Sequence, residues 1–361
     1  MLSRFLQCLT LIFLLCAEAA AADATPSPEF VGELLASNLL AREYMFYGDE
    51  ALHYAEAAAA VGALRFSAVT GNTGLQQGLM RRYQVLLDDD SALISRRPHV
   101  DMNVIGILPL QIAVLSGDPA YLRQGLSFAD SQWDQPLENG LTRQTRWWID
   151  DLYMVGMLQM QAFRATGNDI YADRAARQLA AYLPPLQRDN GLFYHSPDAP
   201  VFWGRGNGWV AVAMAEVLAS LPSQHALREQ LLQHYLRMMR GLLRYQADSG
   251  MWRQVIDLEP SWAESSATAM FAYAMIVGVQ NDLLPADPYQ GAVDRAWAAL
   301  LTRVDANGNL DAVCIGTGKS NDPAYYLARP TVAGDLHGQA PLLWLAIALL
   351  DSPLDASVHA E

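Results

Sequence analysis

The sequence predicts an all-α fold, a double ring of helices of the (α/α)6 barrel kind, and three observations carry that expectation. Ala-, Leu- and Met-rich stretches place apolar residues at i, i+3 and i+4 in 151–165, 169–183, 207–221, 226–246, 265–279 and 288–304. Few runs alternate in the manner of strands. A junction also recurs between helical patterns, as Thr70-Gly71-Asn72, Ser116-Gly117-Asp118 and Thr166-Gly167-Asn168, at spacings of about 46 and 50 residues.

Each junction reads as a tight helix-turn-helix. Glycine past a helix end takes the left-handed conformation without a Cβ penalty, and the Asn or Asp beside it can cap the next helix. Helix hairpins of this length cannot bury an apolar face alone, so they stack into a closed ring or an open solenoid. The ring is preferred because short turns alternate with the longer connections 133–150, 189–207, 250–264 and 307–337, which carry Trp, His, Arg and Asp. In a ring these connections converge on one end, where a pocket forms.

Residues 1–22 have the layout of a secretory signal: Arg4, an apolar run from Phe5 to Cys16, and small residues around Ala19 to Ala22. The expectation is an exported protein, periplasmic or extracellular, with one domain over 23–361 and no membrane attachment once the signal is cleaved. Of three cysteines only Cys314 lies beyond the signal, so no intramolecular disulfide is expected, and Cys314 reads as a small packed residue. The net charge of -14 repels polyanions and argues against nucleic acid or anionic membrane as partner. An acidic ligand must therefore be held by local cations.

Four segments combine residue types suited to chemistry. In Arg146-Trp147-Trp148-Ile149-Asp150-Asp151, two indoles and two carboxylates lead into a helix. One Asp can serve as a cap, while the other, desolvated by indole, can have the raised pKa of a proton donor. Tyr194-His195 and Phe202-Trp203-Gly204-Arg205-Gly206-Asn207-Gly208-Trp209 put stacking aromatics, a cation and permissive glycines in a loop opening a helix. That set suits an anionic sugar, or else a structural turn capped by Asn207. His99 and Asp101 precede another helix, with Asp101 as its cap. Trp252 and Glu264 read as a packed indole and a helix start, while His225 and His234 read as surface residues. No HExxH, zinc cage, P-loop or G-x-S-x-G elbow is present, so no cofactor or catalytic metal is expected.

Together, Asp101…Gly106, Trp148-Ile149-Asp150-Asp151-Leu152-Tyr153-Met154, Tyr194-His195, Phe202 to Trp209 and Glu264 to Thr268 resemble glycoside hydrolase family 105. These are the unsaturated rhamnogalacturonyl hydrolases, related to the unsaturated glucuronyl hydrolases of family 88. The resemblance runs from about Asp101 to Leu350 and implies the (α/α)6 barrel. It implies Asp150 as the catalytic aspartate, Asp151 as the cap, and Asp101, His195, Arg205 and Trp209 in the substrate pocket. Trp148 and Trp203 join them as stacking candidates, and Arg205 is the expected partner of a uronate carboxylate. The implied substrate is a lyase-generated, pectin-like oligosaccharide ending in a 4,5-unsaturated uronic acid. Rival readings are an inverting glycosidase using Asp150 and Asp101 on saturated glycosides, a uronate lyase, and an exported oligosaccharide-binding protein.

Overall fold

The computed structural model describes residues 26–350 apart from 49, 50, 89, 90 and 96, so the expected export signal lies outside the described residues. In chain order its helices are α1 (Pro28–Ala41), α2 (Tyr54–Val69), α3 (Thr73–Tyr83), α4 (Val100–Asn103), α5 (Ile107–Ser116), α6 (Pro119–Ser131) and α7 (Asp151–Thr166). There follow α8 (Asp169–Leu186), α9 (Gly204–Ser220), α10 (Arg228–Tyr245), α11 (Ser265–Gln280), α12 (Ala286–Leu301), α13 (Pro323–Leu327) and α14 (Leu336–Ala348). Two short hairpins, β1 (Phe46–Tyr47) with β2 (Ala51–Leu52) and β3 (Trp252–Arg253) with β4 (Ala263–Glu264), are the strand pairs among the described residues.

Twelve of these helices alternate between two layers. The outer ones are amphipathic: α10 buries Leu231, Tyr235, Met238, Met239 and Leu242 on one stripe and turns its charges to solvent. The inner ones are covered on every side, so every residue of α9 from Gly204 to Leu218 and of α11 from Ser265 to Gly278 is buried. Inner helices α2, α5, α7, α9, α11 and α14 pack in that order, and α14 returns to α2 and α1, closing the ring. The closed barrel is therefore observed, and the open solenoid is not.

The glycine junctions behave as expected. Gly71, Gly117 and Gly167 have φ of 67°, 71° and 68°, and Asn72, Asp118 and Asn168 cap the next helix through Leu75, Ala120 and Ile170 N–H groups. These tight turns join inner to outer helices at one end. All inner N-termini, and the long connections entering them, consequently lie at the other.

One segment departs from expectation. The glycines around Arg205 form the first turns of α9 rather than a loop. A Cβ on Gly204 would lie 2.8 Å from the Arg253 carbonyl oxygen, and one on Gly208 would lie 2.4 Å from Met270 Sδ. These glycines thus serve close packing against β3 and α11. Asn207 is no cap either: its amide bonds the Phe193 N–H and carbonyl at 2.8 and 2.9 Å, pinning the preceding connection to the helix. His225 and His234 are half-buried rather than surface residues, lying against Asp173 and Gln187. Cys314 is buried, as expected.

Towards the closed end, the barrel axis holds a polar cluster. Glu216 accepts from Arg65 at 3.1 Å, Arg164 at 2.6 Å and Tyr273 at 2.5 Å, and Arg65 also reaches Gln111 and Gln161. A cavity of about 10 Å³, lined by Arg65, Tyr153, Gln161, Glu216 and Trp344 among others, sits beside it. That is room for about one water, not a sugar. Burial alone would raise the Glu216 carboxyl, but Arg164, Arg65 and Tyr273 outweigh it and hold it at about 2.

Neutralising this anion removes the charge that both arginines face, and breaking a buried pair typically costs about 3–5 kcal/mol. Glu216→Gln is expected to lose that much in denaturant unfolding at neutral pH, with little change in turnover. The depressed pKa means the stabilisation is full above the unfolded value of 4.5 and is lost as pH falls through about 2. A variant as stable as the parent at pH 7 would remove the cluster from the stability account.

Candidate active site

Six inner helices begin at the open end, and all but α5 carry polar residues at or just before the first turn. Aligned N-termini carry partial positive charge, so this end favours an anion although the whole chain is acidic. The site is built between α4 and α7 on one side and the connections 187–203 and 302–335 on the other.

Asp150 stands at the start of α7 with no side-chain capping bond. Its carboxylate is about one-tenth exposed, and Oδ2 lies 3.2 Å from His195 Nε2. The two atoms are off the line of a hydrogen bond, and neither has another hydrogen-bond partner among the described residues. Main chain fixes the pairing, because Ile149 N–H donates to the His195 carbonyl at 3.0 Å. Behind the ring, His195 Nδ1 is 2.8 Å from the Tyr326 hydroxyl. That hydroxyl also accepts from the Ser320 N–H at 2.9 Å, and its single proton can go either to the Ser320 carbonyl at 3.1 Å or to Nδ1. In either arrangement the Asp150–His195 contact is favourable only with a proton between them.

The expected raised pKa of Asp150 is not found. Burial pushes it up, but the contact with His195 and the charge of Arg146 outweigh burial, and the carboxyl sits below its ordinary value. The raised acid is Asp151, pushed to about 6 by complete burial against the opposing pull of Arg146 and Tyr182. Asp151 is not the simple cap that was expected. It accepts from Arg146 N at 2.8 Å, Arg146 Nε at 2.7 Å and Tyr182 Oη at 2.7 Å, which closes the turn leading into α7.

Asp101 is not a cap either. His99 caps α4, its Nδ1 accepting from Asp101 N–H, while the Asp101 carboxylate receives both ends of the Arg146 guanidinium at 2.9 and 3.1 Å. Arg146 thus clamps Asp101 and Asp151 together and leaves Asp150 unclamped between them. Trp147 takes a left-handed φ of 60°, which costs a non-glycine residue roughly 1–2 kcal/mol, offset by stacking on Tyr182 at 4.7 Å.

The aromatic and cationic expectations change in detail. Trp148 is half-buried at the site, with its ring 5.5 Å from that of His195, beneath Arg146 and Lys319. Trp203 and Trp209 are buried and offer no open face to a sugar. Trp203 packs on His195 and Tyr326, and Trp209 packs on Tyr153 at 4.4 Å inside the ring. Arg205 is fully buried and donates to the carbonyls of Cys314 at 2.5 Å and Ile315 at 2.6 Å. With the Ser266 hydroxyl at 3.5 Å as its third partner, it shapes the 312–318 loop instead of standing free for a carboxylate. The accessible cation on this rim is Lys319, the only lysine of the chain, paired with Asp198 at 2.7 Å.

Arg146, Tyr326, Lys319 and Tyr54 were not singled out from sequence. Arg146 had a readable signal, a cation one residue before the paired indoles. The other three are placed by parts of the chain far from Asp150, and nothing in their local patterns marks them.

The sequence model of Glycosyl Hydrolase Family 88 matches residues 38–352. The chain is 29% identical over 273 residues to the unsaturated 3S-rhamnoglycuronyl hydrolase of Alteromonas sp. (strain LOR), covering 66% of this chain and 65% of that protein. It is 28% identical over 199 residues to the unsaturated rhamnogalacturonyl hydrolase YesR of Bacillus subtilis (strain 168), covering 51% of this chain and 54% of that protein. Its fold matches a solved family 105 glycoside hydrolase from C. acetobutylicum ATCC 824 with a TM-score of 0.80 at 20% identity, over 88% of this chain and 99% of that one. The fold, the matched span and the carboxylate-bearing end of the barrel agree, and the chain belongs to Glycosyl Hydrolase Family 88.

Proposed function

We propose that this glycoside hydrolase removes a terminal 4,5-unsaturated uronic acid from lyase-generated oligosaccharides by hydrating the C4=C5 bond, with Asp150 as acid and base. One observation carries the reading: a single unclamped carboxylate, Asp150, stands 3.2 Å from His195 Nε2, while Asp101 has both oxygens engaged by Arg146. An inverting glycosidase needs two working carboxylates, an acid and a base. Hydration of an enol ether needs only one group that gives a proton and then takes one from water. The relatives' names share an unsaturated, rhamnose-linked uronyl substrate and differ in whether its uronyl part is called glycuronyl or galacturonyl, which supports a uronate, galacturonate or glucuronate, at the cleaved end.

The depressed pKa of Asp150 fits a two-stage role. In the free site its lowered pKa keeps Asp150 ionised. A bound uronate brings a negative charge and displaces water, and both effects raise the pKa of Asp150 and draw a proton onto it. Asp150 then protonates C4, the π pair forming the new C–H bond and leaving an oxocarbenium-like centre at C5. Water adds at C5 and returns its proton to Asp150. The hemiketal opens at the C5–O5 bond, and the C1 hemiacetal so exposed releases the aglycone. The helix N-termini at this end favour the substrate anion.

Loss of the ultraviolet absorbance of the conjugated double bond follows this reaction directly. Asp150→Asn is expected to lower kcat by about 10²–10⁴-fold with the fold intact. Release of reducing sugar from saturated glycosides without that absorbance change would return the inverting-glycosidase reading. Formation of new absorbance would instead identify a lyase.

The pH profile reads the clamp. As pH falls through about 6, Asp151 takes a proton and loosens its hold on Arg146, so kcat/KM is expected to fall there. Tyr182→Phe removes a donor to the carboxylate, which raises its pKa and moves this acid limb to higher pH. A limb unmoved by the substitution assigns it to another group. Export through residues 1–22 fits an oligosaccharide generated outside the cytoplasm. N-terminal sequencing of protein recovered from periplasm or medium tests it, with a start near Asp23 expected.

A further inference from the structure

Across the site from Asp150, a second buried chain of polar groups joins the last inner helix to the first. Asp335 caps α14, its Oδ1 accepting from the His337 main-chain N–H at 2.9 Å and lying 2.6 Å from His337 Nδ1. His337 Nε2 is 2.7 Å from the hydroxyl of Tyr54, the first residue of α2. His337 is fully buried, whereas Tyr54 is half-buried, with Trp209 edge-on at 6.0 Å fixing its ring. Tyr54 opens α2 at the same end of the barrel at which Asp150 opens α7, and its partial exposure puts it on the open end.

The order of protons along this chain is determined by its members. An ionised carboxylate can only accept, so His337 carries its proton on Nδ1 and presents a lone pair at Nε2. That lone pair takes the Tyr54 O–H proton, and the phenol oxygen is left with acceptor capacity alone. Burial, and then the charge of Arg205, push His337 towards its neutral form, while His337 holds Asp335 ionised against its own burial. His53, 5.1 Å away between ring centres, is held neutral at about 3 by burial and by His337, so it supplies no competing cation.

We propose that Asp335 and His337 are positioning residues that lock Tyr54 as a hydrogen-bond acceptor, so that this wall of the pocket takes a free ring hydroxyl of the terminal sugar. The same polarity turns the substrate's carboxylate away, because an acceptor-only oxygen repels it. The wall therefore selects both the orientation of the ring and the absence of a substituent on that hydroxyl. The specificity rests on the unsaturated-uronate reading, whereas the proton order does not.

Two measurements separate them. Nitrogen-15 spectra of histidine-labelled protein are expected to show one neutral imidazole, protonated on Nδ1 and unchanged between about pH 5 and 8, whose Nε2 resonance moves in Tyr54→Phe. An Nε2-protonated or titrating His337 overturns the relay whatever the substrate. With unsaturated disaccharides O-methylated in turn at each ring hydroxyl of the unsaturated residue, one analogue is expected to lose about 10–100-fold in kcat/KM, mostly through KM. Tyr54→Phe and His337→Leu are expected to lose that discrimination, while His337→Gln, whose carbonyl can still accept the phenol proton, keeps part of it. Discrimination unaltered in both Tyr54→Phe and His337→Leu sinks the specificity proposal, while parent disaccharide untouched by wild-type enzyme refutes the substrate reading alone.

Discussion

Closure of the inner ring is the constraint on which the other features depend. An inner helix of this barrel is packed on every side, so it can hold a polar group only where a partner is supplied or where the helix ends. The middle of the barrel is accordingly filled by Ala, Val, Leu, Met and aromatic side chains, and polarity is driven to its two ends. One end is sealed by Glu216 with its two arginines, which leave space for little more than a water. The other cannot be sealed in this way, because the N-termini of the six inner helices and the connections entering them meet there. The geometry that makes the fold stable thus also decides where a ligand can enter.

At that open end the arginine clamp distributes roles among three carboxylates close in space. The Arg146 side chain takes both oxygens of Asp101 and Oδ1 of Asp151, while its main-chain N–H and the Tyr182 hydroxyl take Oδ2 of Asp151. Three unpaired carboxylates would repel one another and would share protons unpredictably. With two of them clamped, Asp150 is the carboxylate of the three left open to the pocket. The left-handed Trp147 and the stack on Tyr182 belong to the same device, since they hold the turn that aims Arg146.

The fold was legible because its signals are local. Left-handed glycines at 71, 117 and 167 and the caps beside them announce helix ends without any knowledge of the partner helices. Motifs singled out Asp150 and His195, which the fold brings to 3.2 Å of each other. Mixed aromatic, glycine and arginine composition misled, because it describes a tightly packed helix start as well as an open loop. Gly204 and Gly208 answer to Arg253 and Met270, and Trp209 to Tyr153, contacts that span 49 to 62 positions in the chain. The pKa order of Asp150 and Asp151 was equally out of reach. It depends on which of two adjacent carboxylates meets Arg146 and Tyr182 and which meets His195, and adjacency in sequence says nothing of that.

The seam between α14 and α2 also has a bearing on biosynthesis. Synthesis runs from α1 towards α14, so the flank of α2 that α14 covers stays bare until nearly the whole barrel has emerged from the ribosome. Throughout that interval the chain is an open arc with an apolar edge at each tip, the kind of surface to which holding chaperones bind. Tyr54, among the first inner-ring residues made, waits for His337, among the last. Pocket assembly is thereby tied to completion of the chain, and an interrupted product would carry Asp150 and its histidine without the facing wall.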